Sequence, residues 1–148
     1  MAVVLVDTNV LVYAHDRGEH TKQTRAIQVL RQLHLTGNGR LSVQSLAEFF
    51  SAITRGPKPR LTVERANPQV ERLARAWPVL DVTPLIVLEA IRGTRERGLA
   101  YWDAQLWATA RLNQIPLIFS EDFNPGAVLD GVRFVNPFAP DFEVDRWC

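Results

Sequence analysis

The chain has 148 residues, 47% of them hydrophobic and 22% charged, with a formal net charge of +1. That length allows one domain with a sizeable core, and no stretch reaches the ~20 apolar residues of a membrane span. Its short N-terminal apolar run meets Asp7 too early for a signal peptide, and its single cysteine, Cys148, excludes an internal disulfide framework and a cysteine-rich zinc site, so a cytoplasmic protein is expected.

Positions 3–6 form a continuous branched-apolar run, the mark of a strand buried on both faces. A short helix is expected over 9–14. Apolar residues at Ala26, Ile27, Val29, Leu30, Leu33 and Leu35 predict a longer helix from Thr21, stopped by Gly37-Asn38-Gly39. Positions 41–43 read as a strand, and Ser45 opens a helix to about Thr54. A further helix starts at Thr62, where Pro68 should break or kink it. Positions 79–82 read as a strand. Thr83-Pro84 is an N-cap with proline at the first helical position, and that helix runs to about Arg97 before Gly98. A last long helix covers about 101–113, followed by strands at 117–119 and 132–135. The tail from Asn136 to Cys148 can pack back, join a partner or move freely. Strands alternating with helices predict an α/β fold: a single domain over 1–148 with a central parallel sheet of about five strands flanked by helices.

Charge is unevenly distributed. From Lys22 to Arg75 ten basic residues face only Glu48, Glu64 and Glu71, whereas from Ser120 onward six acids face two arginines. Fifteen of the seventeen cations are arginine, which suits bidentate phosphate contact. Solvated helix faces explain the pattern equally well. The alternative is a phosphate-backbone footprint beside an acidic pocket.

Four acids stand at the rims of apolar elements: Asp7, Glu48, Asp103 and Asp122. Carboxylates gathered at strand ends repel one another unless a cation offsets them, and hard divalent ions take oxygen ligands. Each acid also has a plain structural reading. Asp7 suits an N-cap, Glu48 completes a capping box with Ser45, Asp103 suits a helix's first turn, and Asp122 suits a turn. Glu121 is expected to face solvent. His15, His20 and His34 have no metal-binding spacing, and no nucleophile elbow or phosphate-binding glycine loop occurs.

Taken in order, Asp7-Thr8-Asn9-Val10-Leu11, Leu46-Ala47-Glu48-Phe49, Trp102-Asp103-Ala104 and Ser120-Glu121-Asp122-Phe123 resemble the PIN-domain ribonucleases. The resemblance is strongest to the toxins of type II toxin–antitoxin systems, the VapC family. It spans nearly the whole chain, including Asn136-Pro137-Phe138. It implies metal-dependent hydrolysis of RNA phosphodiester bonds, with Asp7, Glu48, Asp103 and Asp122 around Mg²⁺ or Mn²⁺. Asn9 and Ser120 would support them by hydrogen bonds. It also implies a homodimer restrained by a cognate antitoxin protein. The helices carrying Phe49-Phe50 and residues 85–88 would supply the groove and dimer contact. Arg55, Lys58 and Arg60 would meet the RNA backbone. Two other readings stand beside it. Phosphoaspartyl chemistry expects an Asp where this chain has Asn9 and a late Lys, where the only lysines are Lys22 and Lys58. A PIN-like module could instead bind RNA or protein without catalysis.

Overall fold

The computed structural model describes residues 2–148. Strand β1 (Val4–Val6) is completely buried, as its branched-apolar run requires, and lies at the middle of a six-stranded sheet. Around it follow α1 (Thr8–Tyr13), α2 (His20–Thr36), β2 (Gly39–Ser42), α3 (Val43–Thr54), α4 (Val63–Ala76) and β3 (Val79–Leu80). Then come α5 (Pro84–Arg97), α6 (Tyr101–Leu112), β4 (Leu117–Phe119), β5 (Val128–Leu129), β6 (Val132–Val135) and α7 (Val144–Trp147). The sheet order is β3-β2-β1-β4-β6-β5. Five strands run parallel and β5 pairs antiparallel with β6 at the edge. The predicted parallel five are therefore present, and β5 is an addition. At two residues it is too short to leave a hydrophobic period in the sequence.

Alternate residues of a strand face opposite sides of a sheet. Val4 and Val6 accordingly enter one apolar cluster with Val10, Leu33, Leu41, Phe49 and Phe119. Leu5 enters the other with Ile118, Ala104, Trp107 and Phe134. Helices α1 to α4 thus cover one face, and α5 and α6 the other. The chain steps outward from β1 to β2 and β3, then returns across to β4 on the other side of β1. That reversal opens a crevice beyond the carboxyl ends of β1 and β4, the usual ligand position in open α/β sheets.

Two local expectations are corrected, the cap of α3 and the break at Pro68. Helix α3 begins at Val43 and its cap is Ser42, whose Oγ accepts from Ser45 N at 3.1 Å. Ser45 is inside the helix and buried, so Ser45 and Glu48 form no capping box. Helix α4 runs through Pro68 unbroken. Pro68 is exposed, so water can satisfy the carbonyl that lacks its N–H partner. The tail packs back on the first apolar cluster through Phe142 and Cys148, and Arg25 donates to the carbonyls of Pro137 and Phe142. No helix of the described residues is long and apolar enough to cross a membrane.

Candidate active site

Asp7 follows β1 directly, and its backbone N–H continues the ladder to Phe119 O at 2.9 Å. Its side chain caps α1, Oδ1 accepting from Thr8 N at 2.7 Å. Oδ2 accepts from Ser120 Oγ at 2.6 Å and Asn9 Nδ2 at 3.4 Å. The structural and chemical readings of Asp7 are thus compatible, since each carboxylate oxygen has its own partners. Burial pushes its pKa up to about 6 against the lowering effect of the Ser120 and Thr8 bonds, with Asp122 and Glu48 adding repulsion.

The other acids arrive from three separate elements. Glu48 projects from the second turn of α3, where Oε2 accepts from Thr8 Oγ1 at 3.2 Å and Oε1 from Gln44 Nε2 at 2.7 Å. Asp103 lies in the first turn of α6, half-buried. Burial first, then the charges of Asp122 and Glu48, raises its pKa above the usual carboxylate range. Asp122 lies just past β4 and is exposed. Its Oδ2 accepts from Asn9 Nδ2 at 3.2 Å.

All four carboxylates line one cleft of about 450 Å³, together with Thr8, Asn9, Tyr13 and Gln44. Ser120 is buried behind them. It donates to Asp7 and accepts from Asn9 Nδ2 at 3.2 Å and Asp122 N at 3.1 Å. Asn9 and Ser120 therefore tie the β1 end to the β4 end. Arg55 and Arg60 line the same cleft. Arg60 is held by Asp16 at 2.8 Å. Glu121 is held by Tyr13 at 2.7 Å and Lys22 at 2.6 Å, so it does not simply face solvent.

Among the described residues, no three His, Cys, Asp or Glu side chains already meet as a metal cage. The donor set still fits a hard divalent ion: four carboxylates share a cleft, and two of them, Asp7 and Asp103, are kept hard to ionise by burial and like charge. Mg²⁺ keeps several waters and needs only one or two direct carboxylates, so a preformed cage is not required.

The sequence model for the PIN domain matches residues 4–128. The chain belongs to the PIN domain family. Solved structures place similar folds beside this PIN domain. Mycobacterium tuberculosis VapC20, described as a sarcin–ricin loop cleaving toxin, is 17% identical with a TM-score of 0.63, over 86% of this chain and 97% of that one. Salmonella typhimurium VapBC bound to DNA is 16% identical with a TM-score of 0.65, over 93% and 99%. FitAB bound to a DNA fragment is 19% identical with a TM-score of 0.68, over 94% and 98%. At these identities the likeness is one of fold. No curated protein sequence matches the chain.

Sequence reasoning passed over Thr8, Gln44 and Gln105 in this PIN domain. Thr8 and Gln44 contact Glu48 directly, and Gln105 contacts Gln44. Thr8 stood within the motif that carried Asp7. Gln44 lies four residues before Glu48 on α3, a spacing that puts both on one helix face and that a search for acids does not weigh. Gln105 had no signal, since its role depends on α6 meeting α3.

Proposed function

We infer that this PIN domain is a metal-dependent endoribonuclease, the toxin of a toxin–antitoxin pair. The observation that carries the reading is the convergence of Asp7, Glu48, Asp103 and Asp122 on one cleft at the strand-order reversal. Asp7, Glu48 and Asp103 would hold Mg²⁺ or Mn²⁺. When bound, the ion supplies Lewis acidity at the attacked phosphate. Ser120 and Thr8 hold the Asp7 carboxylate with both oxygens fixed. Asn9 orients Asp122, the exposed carboxylate, to accept a proton from the attacking water. That water adds to phosphorus while the bond to the leaving ribose oxygen breaks, and that oxygen takes up a proton from solvent in the open cleft. Arg55, Lys58 and Arg60 surround the exposed Gly56-Pro57 turn, with Arg55 and Arg60 in the cleft wall, where they suit the RNA backbone. Acting on cellular RNA, the protein would work in the cytoplasm.

The partner reading rests on a neighbouring surface. A more apolar groove lined by Val43, Ala47, Val82 and Trp102 shares Gln44 and Glu48 with the acidic cleft. Leu85 and Leu88 of α5 are exposed, whereas Ile86 and Phe49 are buried core residues. Phe49 therefore lies outside the expected groove, and Leu85 and Leu88 remain available to it. Such a surface suits an amphipathic antitoxin segment whose basic side chain reaches the carboxylates, and a second copy of the chain. The Salmonella typhimurium neighbour is VapBC bound to DNA, which supports this choice of partner.

The test is cleavage of an RNA panel by purified protein with Mn²⁺ or with EDTA. Cleavage with Mn²⁺ that stops in EDTA and in Asp7→Asn supports the nuclease. Equal cleavage in EDTA overturns metal dependence, and intact RNA throughout leaves a binding module. Growth arrest on expression, relieved by the product of an adjacent small gene, tests the toxin assignment.

A further inference from the structure

Glu48 and Asp103 ride on helices that belong to opposite faces of the sheet. Phe49 and Ile53 anchor α3 in one apolar cluster, and Ala104, Leu106 and Trp107 anchor α6 in the other. Among the described residues neither cluster contains side chains from both helices. Side-chain amides join them instead. Gln44 Nε2 donates to Glu48 Oε1 at 2.7 Å and to the Trp102 carbonyl at 2.9 Å. Gln105 Nε2 donates to Gln44 Oε1 at 2.9 Å, and the Tyr101 hydroxyl donates to Gln105 Oε1 at 2.9 Å.

Chemistry fixes the direction of this chain. A carboxylate and a carbonyl only accept, so the Gln44 NH₂ must face them. Its oxygen then faces Gln105 and needs a donor, and Gln105 so turned presents its own oxygen to a hydroxyl. One orientation satisfies every group. Gln105 is only 7% exposed, so an amide there is costly unless it is bonded in this way. The donor that reaches Glu48 is also neutral. A lysine or arginine at position 44 would hold the carboxylate equally well but would cancel the charge a cation needs.

We propose that Gln44 and Gln105 are positioning residues that clamp α6 to α3 and hold the Glu48 carboxylate across the cleft from Asp103, so that both serve one divalent ion. Thr8 fixes the other Glu48 oxygen, leaving the carboxylate held from both sides. This assignment rests on the metal-dependent nuclease reading.

The experiment compares wild type with Gln44→Met, Gln105→Met and the double variant, since methionine keeps the length and removes the amide. Mn²⁺ affinity is read by electron paramagnetic resonance on the RNA-free chain, and kcat and KM are read on an RNA the wild type cleaves. Each single variant is expected to lose about tenfold in Mn²⁺ affinity and in kcat, the usual scale for groups that orient metal ligands, with KM for RNA unchanged. The double variant is expected to be no worse than Gln44→Met, because one relay can be broken only once. Gln105→Met with wild-type affinity and kcat overturns the relay, and so do losses that add to those of Gln44→Met. If Gln105→Met fails to fold, Tyr101→Phe removes only the terminal donor and must still lower Mn²⁺ affinity. A wild type that neither binds Mn²⁺ nor cleaves RNA overturns the metal reading and the relay together. A wild type that does both separates the two.

Discussion

The Asp7 carboxylate caps α1 with one oxygen and faces the cleft with the other, and burial makes its charge costly although the Thr8 and Ser120 bonds favour it. With the pKa raised from 3.8 to about 6, the folded state disfavours ionisation. Stability from this group is therefore full below about pH 3.8 and is lost as pH rises through about 6, a loss on the order of 3 kcal/mol. Asp7→Asn removes the titration. Thermal melts from pH 4 to 7.5 should show the variant equal to or more stable than wild type at the upper end, with the difference vanishing toward pH 4. A variant that melts lower throughout would mean that its cap and Ser120 bonds outweigh the charge. Mn²⁺ should offset the same cost. At a concentration a hundredfold above its Kd it should stabilise wild type by about 2.7 kcal/mol and leave Asp7→Asn nearly unmoved. Glu48→Gln no longer bears on helix capping, because Ser42 caps α3. It should reduce RNA cleavage by at least about a hundredfold, consistent with losing a charged ligand, at an unchanged melting temperature.

At the scale of elements, caps and close approaches decide how α3, α5 and α6 sit. Ser42→Ala should cost about 1 kcal/mol by urea unfolding, whereas the capping-box expectation would have assigned that loss to Ser45. Gly93 lies inside α5, where alanine is ordinarily better by about 1 kcal/mol. A Cβ there would stand 2.7 Å from the ring of Trp107, which is fully buried and donates Nε1–H to Leu129 O at 3.1 Å. Gly93→Ala should therefore destabilise by roughly 1–3 kcal/mol, read as a lower urea midpoint at constant slope. A stabilised variant would show that α5 and α6 can part at little cost. Beside this contact Glu89 joins Arg92 and Arg111, and Asp130 joins Arg92 and Arg97, tying the edge hairpin to α5.

For the whole molecule, two residues of the basic segment, Arg55 and Arg60, stand in the wall of the acidic cleft. RNA bound to the Asp7→Asn protein without added metal, followed by fluorescence anisotropy across salt concentrations, tests the phosphate-backbone footprint. Replacing Arg55, Lys58 and Arg60 together with alanine should weaken binding and flatten the salt slope by about 0.7–1 for each phosphate no longer neutralised. An unchanged slope would place the RNA elsewhere. Arg60 also holds Asp16, so a melt of the triple variant separates the effect of breaking that pair from the effect on RNA binding. Sedimentation of the chain alone, and then with the adjacent gene product, checks the dimer and the antitoxin. A monomer unaffected by that product would remove both while leaving the nuclease intact.

The sequence by itself determined the alternation of strand and helix and the buried central strand, because each carries a local signal: a helical period, a branched-apolar run. The four acids were put forward by their order along the chain, since each alone also suited a cap or a turn. Tertiary structure alone decided which end of each element faced the cleft. The capping-box reading of Glu48 failed by one turn of helix because the strand read over 41–43 ends at Ser42, and Val43 already opens α3 with Ser42 as its cap. The bridges from Asn9 and Ser120 to Asp7 and Asp122 join the two ends of the chain, and the Gln44–Gln105 contact joins helices from opposite faces of the sheet. Hydrogen bonds of such range leave no period in the chain. They exist because β1 pairs with β4 and the strand order reverses beside it, bringing distant residues within hydrogen-bonding reach.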